Sequence, residues 1–306
     1  MKGFVFLFMI CRSDLAVELM EVAAEPLEKY IEKEEFKTGN IFVSRISIPN
    51  NKASEIIGKP IGTYITIDVP SLSDMSDELE SQLDTIKSEI NNLLPNEGLI
   101  LVAGLGNFEI TPDALGPKTA TDILATRHLH SEMLRSAGLD SLRPVAVISP
   151  NVLGKTGIET AELIKSIVDN IKPVAVIAID ALASRSLSRL GRTVQITNSG
   201  ISPGSGVGNR RLELNKNFLG VPVISIGVPT VVDGLTLAAD IASKSALNED
   251  EVEKLKTTVE PGGSMMMVTP REIDILIDKA SHLLSLSINS SLQPSLSTED
   301  IEALVY

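Results

Sequence analysis

Four short apolar runs constrain this chain more than any other feature. They fall at residues 99–103 (LILVA), 145–148 (VAVI), 174–179 (VAVIAI) and 221–226 (VPVISI), each bounded by Gly, Pro or a polar residue. A strand that is apolar on both faces must be covered on both faces, as in a parallel sheet between layers of helices. Segments 120–137 and 157–171, lying between the runs, carry apolar residues at helical spacing. Apolar strands alternating with helices predict an α/β fold: a mainly parallel sheet flanked by helices, joined by right-handed crossovers. Apolar residues make up 43% of the chain but aromatics only 3%, and there is no Trp, so the core falls to Val, Ile, Leu and Ala.

The flanking regions are less regular. Residues 15–37 are rich in Glu, Leu and Ala and read as helical, while 41–48 alternates and reads as a strand. Residues 64–69 read as a second strand, ended by Pro70, and 71–94 as a helix with acidic residues near its start. Residues 192–197 alternate polar with apolar and predict an edge or antiparallel strand. Residues 270–286 read as an amphipathic helix running into a Ser-rich tail at 281–297. No internal repeat is present.

Charge and cysteine usage exclude several functions. A net charge of -13 over 306 residues argues against a nucleic-acid surface. The single cysteine, Cys11, rules out an internal disulfide and fits a reducing compartment. The apolar stretch 4–10 (FVFLFMI) is too short to span a membrane, and no small-residue cleavage site follows it. It reads as a strand or a removable leader, and no membrane partner is expected.

In an open α/β sheet, ligands bind beyond the carboxyl ends of the strands. Two such ends here deliver a carboxylate. Asp180 follows 174–179 directly, and Asp113 lies in the Pro-bracketed stretch 111–117, shortly after 99–103. Burial at the end of an apolar strand would raise the pKa of Asp180, which suits a general acid or base. The alternative for both residues is a helix N-cap. Gly104-Leu105-Gly106-Asn107 opens like a dinucleotide fingerprint, but Glu109 stands where a third glycine belongs; the alternative is a tight strand-to-helix turn. The loop 198–211 holds Gly200, Gly204, Ser205, Gly206 and Gly208, and its exposed N–H groups could hold a substrate main chain, an oxyanion or a phosphate. The alternative is a surface loop. His128, His130 and His282 lack zinc-ligand spacing, so no metal is expected. No G-x-S-x-G elbow occurs, and the Met run at 265–267 reads as a packing surface.

Several longer motifs carry a family resemblance. They are Gly-Leu-Gly-Asn (104–107), Thr-Pro-Asp-Ala-Leu-Gly-Pro (111–117), Thr-Arg-His-Leu (126–129) and Thr-Gly-Ile-Glu-Thr (156–160). They continue with Ala-Ile-Asp-Ala-Leu-Ala (178–183), Pro-Gly-Ser-Gly-Val-Gly-Asn (203–209) and Gly-Val-Pro-Thr-Val-Val-Asp (227–233). In order and spacing, from about Arg12 to about Leu292, the chain resembles the germination protease family. The resemblance implies a fold similar to the hydrogenase maturation endopeptidases. It implies a homotetrameric zymogen in the cytoplasm of the spore core, an endopeptidase that begins the degradation of small acid-soluble spore proteins, with Asp113 and Asp180 as its catalytic pair and no cofactor. Two carboxylates in different environments can divide the acid and base roles; Asp180 is expected as base and Asp113 as partner. Gly104, Gly106, Asn107, Gly204, Ser205 and Gly206 are expected along the substrate cleft.

Ser13-Asp14-Leu15-Ala16-Val17-Glu18 resembles the acidic–apolar–Ala site cut in this family's substrates. The expectation is self-processing between Asp14 and Leu15, with residues 1–14 a propeptide and 15–306 one α/β protease domain. The alternative is that Asp14 caps the helix that follows. The chain departs from the family in its short 234–263 segment and its apolar rather than polar N-terminus. Two competing functions follow from the same residues. One is a hydrogenase-maturation-type endopeptidase recognising nickel through acidic ligands; the other is a non-catalytic nucleotide-binding module using the glycine loops.

Overall fold

The expected alternation of strand and helix is present in a computed structural model that describes residues 13–21, 27–72, 79–129, 135, 139, 141–203, 212–244, 251, 254, 258 and 266–305. The strands are β1 (Glu32–Thr38), β2 (Ile41–Ile48), β3 (Gly62–Asp68), β4 (Ile100–Gly104), β5 (Val145–Ile148), β6 (Ala175–Ala183), β7 (Thr193–Thr197), β8 (Val223–Asp233) and β9 (Met267–Val268). They form one 9-stranded sheet in the order β1-β2-β3-β7-β8-β6-β4-β5, with β9 paired to β8. The helices that matter here are α1 (Ala16–Glu21), α2 (Asn51–Ile57), α3 (Leu79–Asn91), α4 (Leu115–Thr121), α5 (Thr160–Ile171), α6 (Gly234–Lys244), α7 (Ile273–Leu292) and α8 (Thr298–Val305).

The four apolar runs form the parallel half, in which β8, β6, β4 and β5 lie side by side. The sheet as a whole is mixed, because β1, β2, β3 and β7 extend it with antiparallel pairings. β7 is antiparallel as expected, but interior rather than at an edge, between β3 and β8. The helix expected over 15–37 is corrected: the described helix covers Ala16–Glu21, Leu27–Lys29 is a single 3-10 turn, and Glu32–Thr38 is the outer strand β1. Gly39, in the left-handed region at φ 60, turns this strand back onto β2 through a two-residue loop. The misreading has a physical cause. β1 is exposed along nearly its whole length, so it needs no alternating apolar face, and its charged sequence looks like a helix surface.

The Ser-rich stretch at 281–297 is not a tail. Most of it belongs to α7, whose residues from Ala280 to Leu292 are all buried apart from His282. Small side chains let this helix lie close to the sheet, and its hydroxyls bond back to its own carbonyls, as Ser287 Oγ does to Leu283 O (2.8 Å) and Ser291 Oγ to Ser287 O (2.8 Å). Longer polar side chains serve the loops. Asn289 accepts from Leu124 N (3.0 Å) and donates to Asp122 O (2.8 Å), and Gln293 does the same for Arg143 N and O (2.9 and 3.0 Å). The helix expected over 120–137 starts earlier, at Leu115, and ends at Thr121; much of the remaining span lies outside the described residues.

The sheet's two faces differ. On one, Val43, Ile65, Ile67, Val194, Ile196, Ile226, Ile179 and Val102 join α3, α4 and α7 in a single hydrophobic cluster. On the other there are two clusters. Val176, Ala178 and Leu101 pack under α5, while Ile46, Ile48 and Tyr64 pack under α1 and α2. The site lies between them.

Candidate active site

β4 and β6 are neighbours, and the crossover that leaves β4 and the one that enters β6 lie on opposite faces of the sheet. After β4 the chain enters α4, packed with α7 on the continuous face. The chain next forms β5 and then α5, which packs on the divided face before leading into β6. Adjacent strands whose connections diverge leave a crevice at their carboxyl ends. Asp113 follows β4, and Asp180 is on β6. The strand runs beyond the apolar segment, to Ala183, so Asp180 is inside β6 rather than after it. It still stands at the rim, because the β4–β6 pairing ends at Gly104 and Ile179.

Asp113 closes a 3-10 turn, Thr111–Asp113, that begins with a Pro-fixed bend. Asn107 N donates to Asp113 Oδ2 (2.8 Å) and to Asp113 O (3.2 Å). Gly106 sits at φ 111, and a Cβ there would lie 2.1 Å from Asp113 O, so only glycine permits this close seat. Thr230 Oγ1 donates to Pro112 O (2.8 Å), tying the turn to β8. The N-cap alternative does not describe this residue: Ala114 occupies the cap of α4, with no side-chain cap bond. Nor does it describe Asp180, which is embedded in a strand.

Asp180 is 6% exposed, and its Oδ1 accepts from Ala181 N (2.9 Å). In register across the sheet come Asp180 on β6, Gly227 on β8, Gln195 on β7 and Thr66 on β3. Directly paired residues project to the same face, and between Asp180 and Gln195 the glycine makes room for the Leu182 side chain, whose Cγ would lie 2.7 Å from a Cβ there. Thr66 Oγ1 donates to Gln195 Oε1 (2.8 Å), which turns the amide nitrogen the other way. Gln195 Nε2, and Ser225 Oγ one row along, are buried without a hydrogen-bond partner among the described residues. Such donors cost stability unless something uses them.

A cavity of about 560 Å³ opens here, lined by Asp113, Asp180, Gln195, Ser225, Lys59 and Asp14. Asp14 enters as part of a segment laid along the end of β6. Its N–H donates to Ala183 O (2.9 Å), and its Oδ2 accepts from Ala183 N (2.8 Å). Lys59 Nζ donates to the carbonyl oxygens of Asp14 (3.0 Å) and Ser13 (3.3 Å). Leu15 is buried, and its N–H donates to Ser13 Oγ (3.0 Å), which itself donates to Glu18. Glu18 is fully buried, accepting from Arg185 N (2.6 Å) and Ser186 N (3.0 Å), with Arg189 Nε at 3.7 Å. Burial draws the Lys59 ammonium below the usual lysine range, while Asp14 and Glu18 pull it back up. Burial also pushes the phenol of Tyr64, on the cavity wall, up to about 12.

The expected residues divide as follows. Asp113, Asp180 and Asp14 meet in one cavity, and Ser199, Gly200, Ile201 and Ser202 of the glycine loop line it. Gly204, Ser205 and Gly206 lie outside the described residues. Gly104 sits behind the site, where a Cβ would meet Gly116 O at 2.2 Å, and Gly106 and Asn107 support Asp113 instead of lining the cavity. Lys59, Gln195, Ser225 and Arg189 escaped sequence reading. The Gly58-Lys59-Pro60 tripeptide marks a loop and nothing more. Among the described residues no cluster of His, Cys, Asp or Glu is placed to hold a metal ion, and no helix is long and apolar enough to cross a membrane.

This arrangement can bind an extended peptide at the end of β6 and bring two carboxylates to it. The profile of the germination protease family matches residues 13–245. The Germination protease of Clostridium tetani (strain Massachusetts / E88) is 43% identical over 323 residues, spanning 96% of this chain and 99% of that protein. That of Bacillus subtilis (strain 168) is 33% identical over 354 residues, spanning 95% of each. Among solved structures, the NiFe hydrogenase maturation protease HycI from Thermococcus kodakarensis KOD1 aligns with 67% of this chain and 98% of that one, at 16% identity and a TM-score of 0.37, too slight a likeness to carry an argument.

Proposed function

The chain belongs to the germination protease family and is a peptidase, and from that premise we propose that it is an endopeptidase of small acid-soluble spore proteins working through Asp113 and Asp180. One observation carries the reading. Both aspartates border the same cavity as Asp14, the acidic residue of a stretch that resembles the substrates' cut site. Hydrolysis of an amide needs an activated water and a proton for the leaving nitrogen. Asp180, nearly buried in β6, takes the proton of the attacking water; Asp113, in its half-buried turn, is its partner. No cofactor enters the scheme.

The same reading makes residues 1–14 a propeptide and 15–306 the protease domain. The chain is made as a zymogen that cuts itself between Asp14 and Leu15, and acid favours this by relieving carboxylate repulsion in a chain of net charge -13. The family resemblance supports a homotetramer in the spore core. The deciding experiment is incubation of the full-length chain with a small acid-soluble spore protein, followed by mass spectrometry of the products. Cleavage on the carboxyl side of an acidic residue, absent in Asp113→Asn and Asp180→Asn, is expected; an uncut spore protein would sink the proposal. Activity is expected to survive a strong chelator, and loss restored by nickel or zinc would favour a metal-dependent peptidase instead.

A further inference from the structure

The geometry points to Lys59 as the cation that holds the carbonyl oxygen of the bond to be cut, and to the Ala183 N–H as the group that reads the acidic side chain before that bond. This rests on the peptidase reading above and adds a residue to it. Segment 13–18 is held as a peptide ligand would be. Its main chain bonds to Ala183 O, its first acid to Ala183 N and its second acid to Arg185 N and Ser186 N. Lys59 comes from the loop between α2 and β3, and of everything in the segment its Nζ donates to the two carbonyls on the amino side of Leu15. The closer one, Asp14 O at 3.0 Å, belongs to the Asp14–Leu15 peptide bond itself.

A lysine ammonium hydrogen-bonded to a carbonyl oxygen is suited to the negative charge that appears there during hydrolysis. Water adds to the Asp14 carbonyl carbon and gives one proton to an aspartate carboxylate. The π pair moves to the oxygen, facing the Lys59 ammonium. Collapse returns that pair and breaks the bond to Leu15 N, which takes the proton from the carboxylic acid. Asp14 is left with a new carboxyl group and Leu15 with a free amine. Burial keeps the ammonium short of water, so its charge acts at higher strength than a surface lysine's would. The charged and titratable groups around it are Asp14 and Glu18 from the N-terminal segment, Tyr64 from β3, Glu213 from the loop before β8, and the aspartate pair.

The test uses the full-length chain and its Lys59→Met and Lys59→Arg variants. The probe is a synthetic peptide copying residues 12–20, and self-conversion to a form beginning at Leu15 is followed by intact mass. In Lys59→Met, kcat should fall about 10²–10³-fold with KM nearly unchanged, the loss typical of an oxyanion donor. Lys59→Arg should recover most of that loss. In the parent chain kcat should decline at alkaline pH as the ammonium loses its proton, and in Lys59→Arg this decline should vanish below the titration of Tyr64. A lysine that only fastens the N-terminal segment would not move that limb. Parent-like kcat in Lys59→Met, or an alkaline decline shared by Lys59→Arg, would overturn the role of Lys59 alone. A parent chain that cuts neither peptide, spore protein nor itself would overturn the peptidase reading, and this one with it.

Discussion

On one face of the sheet a single hydrophobic cluster runs from β2 to β4 beneath α3, α4 and α7; on the other, two clusters stop short of each other and leave Gln195, Thr197, Ser225 and Asp180 between them. The same strands supply both faces, one residue apart. On the continuous face the long polar side chains are paired: Arg45 reaches Glu89 with two bonds (2.9 and 2.7 Å), and Asn289 and Gln293 satisfy loop backbone, while Ser290 Oγ in α7 is buried without a partner among the described residues. On the divided face Gln195 Nε2 and Ser225 Oγ are buried beside a carboxylate without a partner among the described residues. One face is built for stability, and the other gives some of it up where chemistry needs donors and space.

If the faces divide the labour in this way, mutations should separate activity from stability according to side. The largest effect belongs to the divided face. Asp180→Asn should cut turnover of spore protein by about 10²–10⁴-fold, the range for a general acid or base, while thermal unfolding shifts little. An equally large fall in melting temperature would blur the comparison. Next comes Arg45→Leu on the continuous face. The Glu89 hydrogen bonds hold this guanidinium above its usual range, and Glu89 is 2% exposed. Its removal strands a buried carboxylate and should cost about 3–5 kcal/mol in urea unfolding, with kcat per folded molecule unchanged.

Smaller effects sharpen the same contrast. Ile277→Val, beneath the sheet in α7, should cost about 0.5–1.5 kcal/mol without touching kcat. The subtlest effect is a pH dependence at Tyr64, whose phenol is pushed up to about 12 in the fold against 10.0 for an unperturbed tyrosine. The unfolded chain therefore loses this proton first. Stability from Tyr64 is intact below pH 10 and drains away as pH rises towards 12. Melting temperature followed across that window should fall less steeply in Tyr64→Phe; parallel curves would mean that the phenol is not desolvated.

Residues buried on both sides announced themselves in the sequence. β4 and the stretch of β6 before Asp180 are apolar because each must satisfy two layers, and the aspartates stood out by following such runs. β1 was invisible because its outward setting imposes no pattern; the first part of α7 was legible as an amphipathic helix over 270–286, but its Ser-rich end was not, because serine signals a loop until a close-packed neighbour gives it a reason to be in a core. The cavity shows the same limit. Asp113 and Asp180 are marked by local context, whereas Gln195 matters because Thr66, 129 positions away, orients it, and Lys59 because Asp14, 45 positions away, lies against it. Contacts of that kind are made by topology, and no short window of sequence contains them.

The outermost strand, β1, is charged at every position except Phe36 and Thr38, and among the described residues it is the free rim of the antiparallel half. A rim of backbone donors and acceptors invites a strand from another molecule, and dense charge, here three Glu and two Lys, resists that addition. Crowding would therefore meet electrostatic refusal at this rim before any fibril-like stacking could start. Replacing Glu32, Lys33, Glu34 and Glu35 with Val or Thr would turn the same hairpin into a nucleus for polymerisation while leaving the cavity untouched.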